Sequence, residues 1–383
     1  MRRRLIGIIS ALMISAHLLA QGYIETINIE NQAVSDYMLD AAQTYSSNPD
    51  YRVSVVTKYN NSDKYGKKLY WPRGKEVVWI PTTVADNIQE IRITVSENED
   101  YSDSLTYHPD EKSANRFVIR NSLPHRTYYY KVEEIQTNGV NTELANGVFN
   151  TIGQVRMIQV RNNSNIRDLG GWPTQYGNPV KYGRLYRSGS LERTTPEGRH
   201  DFVDNLGVVA ELDLRHEVKR TKSCLGADKD YLRLNHGMYM EGLTKRYDVY
   251  VTDLQWIIAR LREGKNVDWH CAIGCDRCGT LSFLIEGLLG MNEIDICRDY
   301  ELSTFSLSSK NKRVRSPLKN MFNHIRKFGP PDNLGRCFYN YWLSIGMERE
   351  DLDYFLSEIL GIPDISSMTR EPEPYTPNEP YIY

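Results

Sequence analysis

The chain has little charge imbalance, few cysteines and a single long apolar run, and each scarcity excludes a class of protein. Its 47 basic and 49 acidic residues leave a formal net charge of -2 over 383 residues, which is no electrostatic footprint for nucleic acid. Six cysteines are too few to form a disulfide framework at this length. The one long apolar run lies at residues 5–20, so no other stretch of the sequence could cross a membrane.

Residues 1–20 have the form of a secretory signal peptide. Three arginines follow Met1, and an apolar run then extends from Leu5 to Ala20. The alternative is an uncleaved membrane anchor, for which the run is short. We therefore expect an exported protein, periplasmic or secreted, with no stable membrane span after signal cleavage.

The composition after the signal predicts three further segments before the C-terminal half. Residues 21–46 have some helical character, with Val34, Tyr37, Met38 and Ala41 on one face. Residues 47–152 contain short β-prone runs separated by turn residues, which predicts an all-β sandwich. The expected strands are 51–59, 76–83, 90–96, 116–120 and 127–134. At the other end, residues 364–383 are rich in proline and glutamate and are predicted to form a disordered tail.

Residues 267–280, VDWHCAIGCDRCGT, carry the strongest chemical signal in the chain. The five residues between Cys271 and Arg277 can wrap into a loop whose backbone N–H groups surround a tetrahedral dianion. Reactive cysteines need a pKa of roughly 3.5 to 7.5, and a drop of about three units requires about 4 kcal/mol. A helix dipole contributes at most about 2 kcal/mol, so the loop amides and Arg277 must supply the rest. We therefore predict Cys271 as a nucleophile and Arg277 as the phosphoryl-binding cation.

The surrounding residues support a strand, loop and helix in that order. The apolar approach from Val267 to Trp269 favours a strand, and the residues after Gly279 fit a buried helix that begins near that glycine. Glycine within the loop lets the backbone approach a ligand closely. The candidate substrate-binding positions of the loop are Ala272, Ile273, Gly274, Cys275 and Cys278.

Two other interpretations of the same cysteines remain open. Cys271, Cys275 and Cys278 have the spacing by which radical S-adenosylmethionine enzymes hold an iron-sulfur cluster, and three thiolates could also bind zinc. The short length of chain that follows the loop disfavours a cluster. The three cysteines could also simply fill a core or form a structural disulfide.

Five motifs in one order carry a resemblance to a known family. They are NIRDLGG at 165–171, GRLYRSG at 183–189, LGV at 206–208 leading to DLR at 213–215, the cysteine loop, and DYELS at 299–303. The succession resembles the atypical bacterial tyrosine phosphatases, whose loop has the form HCxxGKDRTG, over about residues 155–361. The resemblance implies an α/β cysteine-phosphatase domain, here 153–363, that hydrolyses phosphotyrosine, phosphoserine or phosphoinositides without a metal or an organic cofactor.

The region before this domain resembles a different family. Residues 123–132 and 147–151 are similar to the last strands of fibronectin type III domains. The expected fold class is therefore multidomain, with an N-terminal fibronectin III-like sandwich followed by the α/β phosphatase domain.

The loop departs from the family pattern at two positions. Cys275 stands where the family usually has lysine, which is associated with phosphoinositide hydrolysis, so tyrosine or small phosphoesters become the favoured substrates. Cys278 stands where the family has threonine or serine, and a thiol is a weaker hydrogen-bond donor than a hydroxyl, which predicts slow turnover. Either thiol could also pair with Cys271 in a reversible oxidised state.

The leaving oxygen requires a proton, and two carboxyl groups are candidates for the general acid. The resemblance points to Asp276 inside the loop. Asp213 is the alternative, because it ends an apolar stretch at the edge where α/β sites gather, although it could instead form a salt bridge to Arg215. Arg167 and Asp168 are expected in the wall of the site or in an ordinary turn.

Three further residues and one basic segment complete the candidate site. His270 is expected to order the loop, while Arg187 and Ser188 either approach the substrate or, for the arginine, form a surface ion pair. The basic stretch 310–315 is either a lid or a solvated surface segment.

These patterns predict an exported cysteine-dependent phosphatase that acts on a phosphorylated protein or a small phosphoester. A phosphatase of phosphoinositides or inositol phosphates with the same residues is the alternative within enzymes. A catalytically silent phosphate-binding module is the alternative outside them.

Overall fold

The computed structural model describes residues 24–59, 64, 71–306 and 313–369. The predicted signal peptide and residues 370–383 of the predicted tail lie outside the described residues. The chain divides into two compact units, the first of Met1–Asn28 with Gly74–Ile152 and the second of Ile29–Arg73 with Gly153–Tyr383. Among the described residues, no helix has the length and apolar character needed to cross a membrane.

The first unit is rich in β-strands, as the sequence predicts. Its strands are β1 (Glu25–Asn28), β2 (Lys75–Val78), β3 (Ile88–Ser96), β4 (Leu105–Tyr107), β5 (Arg116–Ile119), β6 (Thr127–Gln136) and β7 (Asn141–Ile152). Five of them form a sheet of order β1-β7-β6-β3-β4, and β2 pairs with β5. Side chains of both sheets share one core, to which Val77 and Ile119 contribute from the smaller sheet and Ile93 and Phe149 from the larger.

The second unit contains a six-stranded sheet that positions the cysteine loop. Its strands are β8 (Met157–Ile158), β9 (Ile166–Asp168), β10 (Leu185–Ser188), β11 (Val208–Asp213), β12 (Asp230–Arg233) and β13 (Asn266–His270). The order is β12-β11-β13-β10-β9-β8. The four strands from β12 to β10 are parallel, β9 pairs antiparallel with β10, and β8 pairs antiparallel with β9. Strand β13 lies in the interior of the sheet, and its buried residues favour a strand there.

In the chain, the helices of the second unit lie before, between and after the strands of this sheet. They are α1 (Gln32–Ser47), α2 (Pro196–His200), α3 (Tyr239–Lys245), α4 (Tyr247–Arg262), α5 (Asp276–Leu288), α6 (Glu293–Leu302), α7 (Leu318–Ile325), α8 (Leu334–Ser344), α9 (Arg349–Leu360) and α10 (Ser366–Thr369). Helix α5 follows the cysteine loop, and its residues from Cys278 to Leu288 are all buried. An apolar helix buried on every side is a rigid support for the loop at its N-terminus.

Helix α1 belongs to the phosphatase unit, where the sequence predicted a separate segment. The predicted face of Val34, Tyr37, Met38 and Ala41 is buried, and the Asn31 side chain caps the helix by accepting from the Ala33 N–H. The face packs on α6, where the buried Glu301 carboxylate accepts hydrogen bonds from the Tyr37 hydroxyl at 2.8 Å and the Tyr45 hydroxyl at 2.6 Å.

The domain boundary at residue 47 therefore differs from the structure. Residues 47–73 group with the phosphatase unit instead of the β-rich unit. The strand predicted at 51–59 is wrong, because the only regular element there is a single helical turn, Val56–Lys58. The aromatic residues that suggested a strand pack elsewhere: the Tyr51 ring lies 6.2 Å from that of Phe322.

Part of the predicted tail is ordered. Residues Ser366–Thr369 form the helical turn α10, and Thr369 is buried with its hydroxyl donating to Asp353 at 2.8 Å. The prediction of disorder from residue 364 is wrong for these four positions.

Candidate active site

The cysteine loop connects the end of β13 directly to α5. The strand ends at His270 and the helix begins at Asp276, so the helix starts earlier than Gly279, where the sequence placed it. Gly274 has a φ of +72°, and a Cβ at this position would lie 2.6 Å from the Ser188 carbonyl oxygen. A side chain there would force the loop to open, which explains the glycine. The loop places the Cys271 sulfur in a buried position, with the residue 2% exposed.

The surroundings of Cys271 favour the thiolate. The Cys278 thiol hydrogen-bonds to the Cys271 sulfur, and this contact lowers the pKa of Cys271 more than any other. Burial opposes it, but the backbone N–H groups of Cys278 and Ile273 and the charge of Arg277 act in the same direction as the thiol, and the pKa falls well below its usual range. A lowered pKa is what a cysteine nucleophile requires.

Arg277 is oriented by a carboxylate that sequence reasoning missed. Its Nη1 and Nη2 donate to the two oxygens of Glu217 at 2.9 and 3.0 Å, and Nη1 also donates to the Leu214 carbonyl at 3.3 Å. The hydrogen bond from Arg277 lowers the pKa of Glu217 to about 2. Because Glu217 holds the Arg277 guanidinium from one side, the remaining N–H donors of the guanidinium keep a fixed direction relative to the loop.

A buried ion network braces the loop from behind. Asp299 in α6 receives Arg167 Nε at 2.9 Å and Arg187 Nη1 at 2.9 Å. Arg187 Nη2 in turn donates to the Gly274 carbonyl at 3.0 Å. Arg167 Nη1 donates at 2.8 Å to Asn165, whose amide donates to the Ile273 carbonyl at 3.0 Å. These two contacts, from Arg187 and Asn165, fix the direction of the Gly274 and Ile273 carbonyls.

This network changes the interpretation of two predicted residues. Arg187 was expected at the substrate or in a surface ion pair, and the second alternative is wrong because the side chain is 1% exposed. Ser188 is also buried, and its hydroxyl donates to Asp268 at 2.8 Å. Arg167 has no exposed surface and acts on the loop through Asn165.

Asp168 has the contacts of a structural turn residue. It accepts hydrogen bonds from Arg156 Nη1 at 2.8 Å and from the backbone N–H groups of Gly170 at 2.9 Å and Gly183 at 2.8 Å. Burial raises the pKa of Asp168, with Arg156 opposing. These contacts fit the turn alternative that the sequence left open.

The two candidate acids differ in access. Asp276 is the first residue of α5, its side chain is 29% exposed, and its Oδ1 accepts from the Tyr239 hydroxyl at 2.5 Å. Asp213 has no exposed side-chain surface and accepts Nε and Nη2 of Arg215 at 2.7 and 2.8 Å. Burial would raise the pKa of Asp213, but the hydrogen bond from Arg215 and the charges of His270 and Arg215 lower it below its ordinary value. The geometry favours Asp276.

His270 joins a buried polar cluster beneath the loop. Its Nε2 lies 2.9 Å from Glu211, and its Nδ1 lies 4.0 Å from Asp213. These three residues could offer one ligand atom each to a metal ion. Their carboxylates are already neutralised, however, because Arg215 pairs with Asp213 and Arg220 with Glu211. A metal would have to displace two arginines, so the donor set does not fit one.

The other two loop cysteines turn toward different neighbours. Cys275 Sγ lies 3.5 Å from the Asn165 amide and 3.5 Å from the Ile273 carbonyl, and burial raises the pKa of Cys275 to about 11. Cys278 Sγ lies 3.6 Å from the Ser188 carbonyl, and burial raises its pKa well above its usual range. Among the described residues, Glu211, Asp213 and His270 form a group that could hold a metal ion, and the three loop cysteines do not.

A cysteine whose surroundings favour the thiolate, an arginine held beside it and a helix N-terminus are the features of a cysteine-dependent phosphatase. A model of the tyrosine phosphatase family matches residues 158–359, which is more than half of the chain, and the chain belongs to this family. It is thus a phosphoric ester hydrolase. A crystal structure of TpbA from P. aeruginosa covers 41% of this chain and 89% of its own, at 17% identity and a TM-score of 0.29. No curated protein matches the chain significantly.

Sequence reasoning missed Glu217, Asp299 and Tyr239 as neighbours of the site. Asp299 stands in a motif that carried the family resemblance, so its presence was a usable signal. No sequence signal pointed to Glu217 or Tyr239. Glu217 is 60 residues from Arg277, and Tyr239 is 37 residues from Asp276, the loop residues that they contact.

Proposed function

We propose that this enzyme hydrolyses phosphomonoesters through a cysteinyl-phosphate intermediate. The observation that carries the proposal is the set of hydrogen bonds to Cys271 from Cys278 and Ile273, which lowers the pKa of the thiol and favours the thiolate. The charge of Arg277 acts on the same sulfur and lies where a phosphoryl group above it would be bound.

The proposed reaction has two displacements. Cys271 Sγ attacks phosphorus, the ester P–O bond breaks, and Asp276 donates a proton to the departing oxygen. A water molecule then attacks the phosphoryl group while Asp276 takes its proton, and the P–S bond breaks to return the thiolate and release phosphate. Cys278 supports the leaving sulfur in the second step, and Arg277 holds the phosphoryl oxygens throughout.

Residues 272–275 line the loop through their backbone. Ala272 and Ile273 use their carbonyls for internal contacts, with Ser190 N–H at 3.3 Å and the Asn165 amide at 3.0 Å. The Ala272 N–H is the proposed donor to the phosphoryl oxygens, while the Ile273 N–H faces the Cys271 sulfur. Gly274 and Cys275 complete the turn, which is why we propose these four residues together with Cys278 as the anion site.

For the substrate, we propose a phosphotyrosine protein or a small phosphoester, with inositol phosphates as the alternative. We also propose that the enzyme is exported and that its β-rich unit is a fibronectin III-like sandwich. Export rests on residues 1–20 alone, and the sandwich rests on the core shared by the two sheets of that unit. Detection of a chain that begins after residue 20 in the periplasm or medium tests the export.

A silent phosphate-binding module is the second candidate, and one observation favours it. Asp276 accepts hydrogen bonds from Arg313 on both carboxylate oxygens, at 3.0 and 3.1 Å, so the candidate acid is already engaged in an ion pair. The candidate predicts tight phosphate binding without turnover.

Release of phosphate from p-nitrophenyl phosphate tests the enzyme proposal. We expect wild-type activity under reducing conditions, its loss in Cys271→Ser, and its retention in the matched control Cys337→Ser. The control residue is buried in α8, where a serine can keep the hydrogen bond to the Pro330 carbonyl. Reduced, folded wild type that binds phosphate and releases none from any monoester would instead establish the binding module.

A further inference from the structure

The loop carries a second cation, Arg313, that the proposed reaction does not use. Its side chain is 19% exposed, and its Nε and Nη2 donate to Asp276 Oδ1 and Oδ2 at 3.0 and 3.1 Å. Asp276 directly precedes Arg277 in the loop. The Arg313 guanidinium thus stands beside the anion site, within reach of a ligand bound there.

Two hydrogen bonds hold the backbone of Arg313 in place, although its side chain is partly exposed. Its backbone N–H donates to the Thr304 hydroxyl at 2.8 Å, and that hydroxyl donates back to the Arg313 carbonyl at 3.1 Å. An exposed ion pair contributes little to stability. The anchoring of Arg313 therefore points to a role other than stabilisation of the fold.

The anchor extends to the N-terminal segment through Arg315. That residue is 3% exposed, and its guanidinium donates to the carbonyls of Asn48 at 3.0 Å, Asp50 at 2.9 Å and Val53 at 2.9 Å. Its guanidinium also lies 3.6 Å from the centre of the Tyr45 ring.

Glu301 connects the same parts from the side of α6. Its Oε1 accepts from the Arg315 N–H at 2.9 Å, while its Oε2 accepts from Tyr37 and Tyr45 of α1. The segment that precedes the family match at residue 158 therefore fixes the backbone two residues beyond Arg313.

We propose that Arg313 is a specificity-determining residue that binds a second anionic group of the substrate, and that the segment 29–59 positions it through Arg315. The proposal rests on the phosphatase function proposed above. A dianionic group beside the scissile phosphate attracts a guanidinium more strongly than one carboxylate does. Such a group competes with Asp276 for the Arg313 guanidinium.

The inference can be tested by binding, independently of turnover. In a Cys271→Ser background, calorimetry compares an inositol monophosphate with a vicinal inositol bisphosphate. We expect the bisphosphate to bind at least about tenfold more tightly, since charge-assisted hydrogen bonds are the strong ones. Arg313→Ala should abolish this preference and weaken monophosphate binding less than bisphosphate binding, and Arg313→Lys should keep part of the preference. Arg262→Ala is the matched control, since this arginine is half-exposed and pairs with Asp351 outside the loop.

Equal affinity for the two inositol ligands together with equal affinity for the two peptides described next, or a preference that survives Arg313→Ala, would overturn the role of Arg313. A phosphotyrosine peptide with a glutamate beside the phosphotyrosine, compared with its alanine counterpart, identifies the other source of a second anion. If the glutamate peptide alone shows the preference, the second anion is a protein carboxylate.

The anchor is tested by Arg315→Lys and, in case this variant does not fold, by Tyr45→Phe. The first removes the fork that binds three carbonyls, and the second removes one hydrogen bond to Glu301. Either should reduce the preference for the second anion and leave monophosphate binding unchanged. An unchanged preference in a folded variant would contradict the role of the N-terminal segment. Absence of turnover with every substrate would refute the proposed function and leave these binding results standing.

Discussion

The Cys278 thiol donates a hydrogen bond to the sulfur of Cys271, and this is the largest contribution to the low pKa of the nucleophile. Cys278 thereby occupies the place of a hydroxyl in the second displacement, although a thiol is the weaker donor. In the proposed reaction, Cys278 therefore both activates the nucleophile and assists its departure.

Cys278→Ser should accelerate turnover, because a hydroxyl stabilises the departing thiolate better than a thiol. An improvement of about 1 kcal/mol in one hydrogen bond corresponds to a roughly fivefold higher kcat. Cys278→Ala should instead slow turnover and move the alkylation of Cys271 by iodoacetamide to higher pH. Steady-state kinetics and alkylation rates measure both effects, and an identical pH midpoint in wild type and Cys278→Ala would contradict the contact.

Arg277→Lys should cost the enzyme most of its activity, because one ammonium cannot hold two phosphoryl oxygens and Glu217 at once. We expect kcat/KM to fall about a hundredfold or more. Glu217→Gln should have a smaller effect that appears mainly in KM, since it loosens the arginine without removing it. Measurement of kcat and KM for both variants tests the orienting role of Glu217. A Glu217→Gln enzyme impaired more than Arg277→Lys would refute this role.

Asp299→Asn should destabilise the fold, because it leaves the buried Arg167 and Arg187 without their shared carboxylate. Removing one partner of a buried pair costs about 3–5 kcal/mol in the free energy of unfolding. The matched control is Asp351→Asn, whose partner Arg262 is half-exposed and whose loss should cost less than about 1 kcal/mol. Urea unfolding measures both, and equal values would show that the network is not a brace.

Asp268 should make stability depend on pH. Burial raises the pKa of Asp268 to about 7, with the charge of His270 and the Ser188 hydroxyl opposing. A raised pKa means that the folded state holds the proton longer, so this contribution is fully present below the unfolded pKa of about 4 and is lost as pH rises to about 7.

Asp268→Asn removes that dependence, because the amide is neutral at every pH. As pH increases from about 4 to about 7, the unfolding free energy of the wild type should therefore fall relative to that of the variant, by at most roughly 4 kcal/mol. Thermal or urea unfolding across this range measures it. A difference that stays constant with pH would refute the raised pKa.

Peroxide should convert the reduced enzyme to an intramolecular disulfide between Cys271 and Cys278. Peroxide oxidises the Cys271 thiolate to a sulfenic acid, the Cys278 thiol attacks that sulfur, and water departs. The choice of Cys278 over Cys275 follows from its hydrogen bond to Cys271. Peptide mapping should find this pair and show that dithiothreitol reverses it. Irreversible oxidation of Cys271 despite an available Cys278 would contradict the prediction.

The strand, loop and helix around Cys271 could be predicted because their signals are local. An apolar approach, a glycine with positive φ and an apolar helix follow one another within a few residues, and the structure confirms all three. The helix start was placed late because the polar loop residues Asp276 and Arg277 lie in its first turn, where a helix tolerates them.

The contacts that support the loop could not be predicted, since they join residues far apart in the chain. Arg167 and Asp299 are separated by 132 residues, and Arg315 and Val53 by 262. The region around Tyr51 was read as a strand because aromatic residues favour strands, yet tertiary packing against the helices decided its conformation. Long-range packing therefore determined both the extra N-terminal part of the unit and the position of Arg313.

The most direct test of the account is rapid quenching of the enzyme with p-nitrophenyl phosphate, followed by mass spectrometry of the peptide that contains Cys271. The account predicts a transient phosphate on the Cys271 sulfur, which forms before steady state and is absent in Cys271→Ser. Phosphate release with no phosphorylated intermediate, or with the phosphoryl group on another residue, would contradict it.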